Sequence, residues 1–222
     1  MAANPDFIYQ PPMTPYLEFI YQDDDIVVLN KSSGLLTVTG RLPEHQDCLQ
    51  TRVNKVLPTA TIVHRLDMAT SGIVIMALNK AAHVNISRQF EQRLTKKSYL
   101  ARVYGLVKDD SGEINLPLIC DWPNRPKQKV DFEHGKSSQT HYKVLSRDEN
   151  SSLVELTPIT GRSHQLRVHM LELGHPILGD RLYAHDKALT ISPRLQLHAQ
   201  MLALLHPVTA EKLIFNSTSP FK

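Results

Sequence analysis

The chain has 222 residues, 41% of them hydrophobic, and a formal net charge of +3. That apolar content can build a sizeable core, yet no stretch approaches the roughly 18–20 apolar residues that cross a bilayer, and MAANPDFIYQPPM at the start lacks the basic and apolar regions of a secretion signal, so a cytoplasmic globular protein without a membrane partner is expected. The two cysteines, Cys48 and Cys120, stand far apart with no CxxC, which excludes a disulfide framework or a zinc ribbon, and +3 permits a local basic surface for nucleic acid without requiring one.

Pro5, Pro11, Pro12 and Pro15 deny the first residues a long helix, so 1–15 reads as an extended arm and 16–222 as one folded domain. After Asp23–Asp25, IVVLN is a short β-branched strand and KSSG a turn; beyond HRLDMATSG, Ile73 to Leu78 forms a second buried strand. Ala82, Ile86, Phe90 and Leu94 fall four apart, placing one apolar face on a helix over 79–93. SYLARVYGLV, THYKVLS and SLVELTPI are strands, SHQLRVHMLEL is a helix stopped at Gly174, and Gln196–Leu205 with Leu213–Phe215 reads as a closing hairpin around Pro207. Strands outnumber helices and regular crossovers are few. The expected fold class is α+β on a mixed, mostly antiparallel sheet with flanking helices.

Asp67, in HRLDMATSG, sits between Leu66 and Met68 just ahead of an apolar strand. One reading is a turn residue that accepts hydrogen bonds from Thr70, Ser71 and nearby amides. Another comes from the helix after TGRSH: at about 100° per residue, Leu166, Met170 and Leu173 define its apolar face and Arg167 falls beside Met170. A guanidinium cannot shed its proton, so a poorly hydrated one needs an anion opposite it, and Asp67 is the natural mate; the alternative is an arginine whose stem runs out to solvent. A carboxylate held ionised by an arginine could act as nucleophile or base on a sugar carbon or a pyrimidine ring.

HRLD and VLNK share residues with kinase motifs, but neither a GxGxxG loop nor DFG is present. His164, His169 and His175 lack metal-ligand spacing, so no metal is expected, and they read as core or RNA-facing side chains. DWPNRPKQKV places Arg125, Lys127 and Lys129 two apart beside Trp122; if extended, this is either a solvated face or a surface that tracks phosphates and stacks bases.

Taken in order and spacing, NKSSGLL, HRLDMATSG, KKSYLARVYG and PITGRSHQLRVHMLELGHPILGDRLY resemble the RluA family of pseudouridine synthases over about residues 16–216. The resemblance implies isomerisation of uridine in RNA with no cofactor. Asp67 would be the catalytic carboxylate, Tyr99 the ring packed against the target base, and Arg167 the partner of the carboxylate. Arg65 would enter the stack vacated by a flipped uridine, with His64, Arg162 and His164 along the RNA-facing rim. The family usually has a proline where this chain has Ser32, and many relatives carry an S4-type domain for which the proline-rich arm leaves no room. Recognition by the catalytic domain alone is similar to that of compact members acting on a hairpin of large-subunit (23S) ribosomal RNA and on the tRNA anticodon stem-loop. Nothing suggests a dimer seam, so a monomer is expected. A non-catalytic RNA-binding module or RNA chaperone on the same fold is the rival reading.

Overall fold

The computed structural model describes residues 8–221; the first seven residues of the expected arm lie outside that range. In chain order the elements are β1 (Phe19–Gln22), β2 (Ile26–Lys31), α1 (Leu49–Asn54), β3 (Thr61–Ile62), β4 (Ser71–Ala77), α2 (Lys80–Glu91), β5 (Lys96–Tyr104), β6 (Ser111–Asn115), β7 (Leu118–Cys120), β8 (Gln128–Val130), β9 (Gln139–Arg147), β10 (Ser151–Pro158), α3 (Gln165–Glu172), α4 (Asp186–Thr190), β11 (Leu197–Leu205) and β12 (Lys212–Asn216). The stretch read as one folded domain is built from two compact units. One consists of Tyr9–Lys97 and His198–Ser219; the other is centred on Ser98–Leu197.

In the first unit the strands run β1-β2-β4-β11, with β3 added to β4 and β12 to β11. β1 with β2, β2 with β4, β3 with β4 and β11 with β12 pair antiparallel, whereas β4 and β11 are parallel at His198↔Ser71 and Ala199↔Gly72. β4 is buried along its whole length and β2 at five of six positions, which is why both read as unbroken apolar runs rather than alternating ones. Ile26, Val28, Ile73 and Ile75 form one core cluster with Ala82 and Ile86 of α2 and Leu202, Leu204 and Phe215 of the closing hairpin. The four-residue spacing on α2 therefore does face the core, but the helix ends at Glu91 and Leu94 is exposed beyond it; Gln89 takes the buried place, bridging both main-chain groups of Leu205. Gly72 has φ +115, and a Cβ there would lie 2.3 Å from the Ala199 carbonyl oxygen, so the parallel contact demands glycine. Residues 8–18 carry no regular element, yet they are tied down: Tyr9 is buried, its hydroxyl donates to the Asp47 carbonyl, and the Pro12 carbonyl accepts from Arg52.

In the second unit β5-β10-β9-β6 is an antiparallel ladder, and β7 with β8 makes a separate hairpin. Ala101, Val103, Val154, Leu156, Val168 and Met170 are buried there. Gly174, at φ +89, closes α3 where expected; its N–H donates to the Leu171 carbonyl and that of His175 to the Met170 carbonyl. The basic segment is not one extended row. Trp122–Asn124 is a short 3-10 turn, Arg125 ends it, and only Lys129 lies inside β8, so Asp121 to Lys127 turn a hairpin tip. Among the described residues no helix is long and apolar enough to cross a membrane.

Candidate active site

In the first unit, the loop that carries Asp67 joins β3 to β4 and is held from both sides by the loop that follows β2. Lys31, fully buried at the end of β2, donates from Nζ to the carbonyls of Ser32 (2.9 Å), Leu35 (2.6 Å) and Met68 (3.1 Å). The Gly34 N–H reaches the same Met68 carbonyl at 2.9 Å, and Ser33 Oγ donates to the Ala69 carbonyl at 2.6 Å. On the other side, Thr37 Oγ1 donates to the Leu66 carbonyl and accepts the Leu66 N–H. Asp67 thus stands between two residues whose main chains are clamped, which fixes where a partly buried carboxylate points. The turn is closed by the Asp67 main-chain carbonyl, which accepts the Thr70 N–H, while Ser71 Oγ pairs with His198. Lys31 is the residue that sequence reasoning missed; its signal was a lysine closing an otherwise apolar strand. Ser32 leaves this clamp intact, because the contacts come from Lys31, Ser33, Gly34 and Thr37.

Arg65, beside Asp67, is exposed and has no carboxylate partner among the described residues. His64 turns the other way. Its ring stacks on Phe90 with centroids 4.7 Å apart, and its Nε2 accepts the Ile75 N–H at 3.1 Å, so it anchors the loop to β4. Burial, with the Lys97 ammonium adding to it, pushes the His64 imidazole down to about 3. His169 is also held below its usual value by burial, against the opposing pull of the Leu116 carbonyl. An unfolded histidine titrates near 6.5, so as pH falls the unfolded chain takes up these protons first; the stability from both groups is complete above about 6.5 and is lost as pH falls, for His64 toward about 3. The urea midpoint is expected to fall between pH 7.5 and pH 4.5, and His64→Asn to flatten that dependence; an unchanged slope in the variant would remove His64 from the account.

In the second unit, Tyr99 lies on β5 opposite Leu156 of β10, partly buried. Arg167 is only 5% exposed, as the helical wheel requires, and forms a two-pronged ion pair with Asp180: Nε to Oδ2 at 2.8 Å and Nη2 to Oδ1 at 2.7 Å. Asp180 is 1% exposed and was not singled out from sequence, although the buried guanidinium itself signalled that a carboxylate must meet it. This pair uses one edge of the guanidinium fork. Gln165 orders the TGRSH loop through all its amide capacity: Oε1 accepts from Thr160 Oγ1 and the Arg162 N–H, and Nε2 donates to the Gln139 carbonyl and Thr140 Oγ1. Arg162 is exposed, with Nε on the Ser137 carbonyl. His164, at φ 54, precedes α3 and bonds the Tyr183 hydroxyl at 2.7 Å. His169 joins Thr140 Oγ1 and the Leu116 carbonyl, a structural bridge, and His175 donates to the Tyr104 carbonyl. Trp122 is 67% exposed, with the Arg125 guanidinium 4.6 Å over its ring; Arg125 and Lys129 are exposed and Lys127 partly so.

Three potential metal ligands, Asp23, Asp25 and His206, converge in the first unit. The His206 ring is already committed there: Nδ1 accepts the N–H groups of Val208 and Thr209, which leaves the proton on Nε2 to be donated to Asp23 at 3.0 Å.

Residues 25–172 match the model of the RNA pseudouridylate synthase family, a span that contains both the clamped Asp67 loop and Arg167. The chain is 55% identical to the dual-specificity RNA pseudouridine synthase RluA of Salmonella typhimurium over 96% of its own length and 98% of that protein's. It is 58% identical to the enzyme of the same name from Yersinia pestis, over 91% and 98%. Among solved structures, Human RNA Pseudouridylate Synthase Domain Containing 1 superposes with a TM-score of 0.80 at 30% identity, covering 96% of this chain and 87% of that one. Domain Containing 4 gives 0.75 at 27%, covering 92% and 89%. With its motifs, its clamped carboxylate loop and its fold all in accord, this chain belongs to the RNA pseudouridylate synthase family.

Proposed function

We propose that this protein converts uridine to pseudouridine in two structured RNAs, a hairpin of large-subunit ribosomal RNA and the tRNA anticodon stem-loop, in the cytoplasm and as a monomer. The observation that carries the reading is the double clamp on the HRLD loop, which spends a buried ammonium and four further hydrogen bonds on holding one carboxylate in place. Such investment suits a group that must meet a reacting atom in a set geometry. In the reaction the bond from N1 of uracil to the ribose carbon breaks, the ring turns, and C5 joins the same carbon; C5 gives up its proton and N1 gains one, so nothing is oxidised or reduced.

Asp67 is the essential carboxylate, Tyr99 packs on the base, and Arg167 serves to keep the carboxylate ionised. Arg65, exposed with no carboxylate partner among the described residues, fills the stack from which the uridine is extruded, offsetting part of a cost of a few kcal/mol. Arg162, Trp122, Arg125, Lys127 and Lys129 contact the RNA, mostly through phosphates. Pseudouridine mapping of total RNA from cells with and without this protein tests the reading: sites in both RNA classes should vanish with the protein, and RNA affinity should drop steeply with salt. RNA binding without any lost site would favour the non-catalytic module, and affinity that stays flat with salt would refute the phosphate contacts.

A further inference from the structure

In the second unit, the hairpin and the buried ion pair share one residue. Tyr183 presents its ring to Arg167, whose Cζ lies 5.1 Å from the ring centroid, within the range at which a cation is attracted to an aromatic face. Its hydroxyl accepts the N–H of Gln128 at 2.8 Å and bonds Nδ1 of His164 at 2.7 Å. Gln128 opens β8 and pairs with Cys120, so its N–H is held at the base of the hairpin. From there the path to the tip is short and internally bonded: the Asp121 N–H donates to the Lys127 carbonyl, and the Lys127 N–H to the Asn124 carbonyl. The tip carries the exposed Trp122 with Arg125 stacked over it, the combination that stacks a base and meets a phosphate. At the far end, Arg167 is locked to Asp180 by two hydrogen bonds, so a displacement of the Tyr183 ring bears on a guanidinium with little freedom of its own.

We propose that Tyr183 is a positioning residue that couples RNA held at the Trp122 hairpin to the orientation of Arg167, so that docking of the stem-loop and readiness for the chemical step are linked. This deepens the proposed function and rests on it. Loss of the hydroxyl frees β8 from the ring without removing the aromatic face that carries the guanidinium. A structural role alone would lower thermal stability and leave turnover of the folded enzyme unchanged.

The test is single-turnover kinetics on an anticodon stem-loop labelled with tritium at uracil C5, with the full chain and four variants: Tyr183→Phe, Trp122→Ala, the two combined, and Gln128→Pro, which deletes the donor from the other side. Tyr183→Phe is expected to slow the saturated rate about tenfold, as loss of one positioning hydrogen bond does, while half-saturation by RNA stays within about twofold. Trp122→Ala should weaken RNA binding and slow the saturated rate in the wild-type background, but only weaken binding when Tyr183 is already Phe. Gln128→Pro should reproduce the slow saturated rate. A Tyr183→Phe enzyme as fast as wild type overturns the inference, and so does a Trp122→Ala rate loss of the same size in both backgrounds. Should Tyr183→Phe melt below the assay temperature, Gln128→Pro decides: an unchanged saturated rate overturns the link, a slowed one supports it. A wild-type protein that releases no tritium from any RNA overturns the proposed function, and this inference with it.

Discussion

Asp67→Asn is expected to abolish tritium release from C5-labelled RNA, with a loss on the order of a thousandfold or more, while RNA binding and the melting temperature stay close to wild type. The amide is isosteric with the carboxylate and leaves the clamp untouched, because the clamping hydrogen bonds run through main-chain groups of Leu66, Met68 and Ala69. What the amide lacks is the charge, and with it the capacity to attack carbon or take a proton. Release at the wild-type rate would remove Asp67 from the mechanism. Lys31→Met provides the contrast: it empties the clamp and leaves the carboxylate chemically intact, so a loss of activity there reports position rather than charge.

The second large effect concerns stability. Asp180→Leu and Arg167→Met should each cost about 3–5 kcal/mol, since each leaves a charged group in surroundings where water reaches almost nothing. The double variant Arg167→Met, Asp180→Leu should recover much of that loss, because two apolar side chains of matching volume need no desolvation penalty repaid. Urea titration of the four proteins measures the coupling. Single variants that lose under about 1 kcal/mol, or a double variant whose loss is the sum of the two, would show that the pair is not energetically closed. On the proposed function, Arg167→Met should also lose activity under conditions where it is still folded.

Much of the fold was legible in the chain. β2, β4, β9, β10, α2, α3 and the β11–β12 hairpin follow from apolar period and from Gly174, because these elements bury enough side chains to imprint a pattern. α1 was not legible: six residues make under two turns, and its start is a Cys48–Thr51 capping arrangement that carries little compositional signal. The basic segment misled in a different way, since a spacing of two implies a common face only in an extended strand, and Trp122–Asn124 turns the chain before β8 begins.

Within the site, local pattern was enough to nominate Asp67, Tyr99 and Arg167 and to require that Arg167 be buried beside an anion. It named Asp67 as that anion and left Asp180 unnoticed, because Asp180 lies 13 residues away along the chain, beyond any helical period, and the helical wheel specifies a face without specifying all that packs against it. The same limit hid Tyr183, whose partner Gln128 is 55 residues distant, and the anchoring of His64 on Phe90 and Ile75. The sequence by itself determined the chemical inventory and the family, because residue type and short spacing are one-dimensional properties. Only the tertiary structure decided which buried charge meets which, because that pairing is set by loops and strands closing over long separations, where desolvation makes a wrong or missing partner too costly to persist.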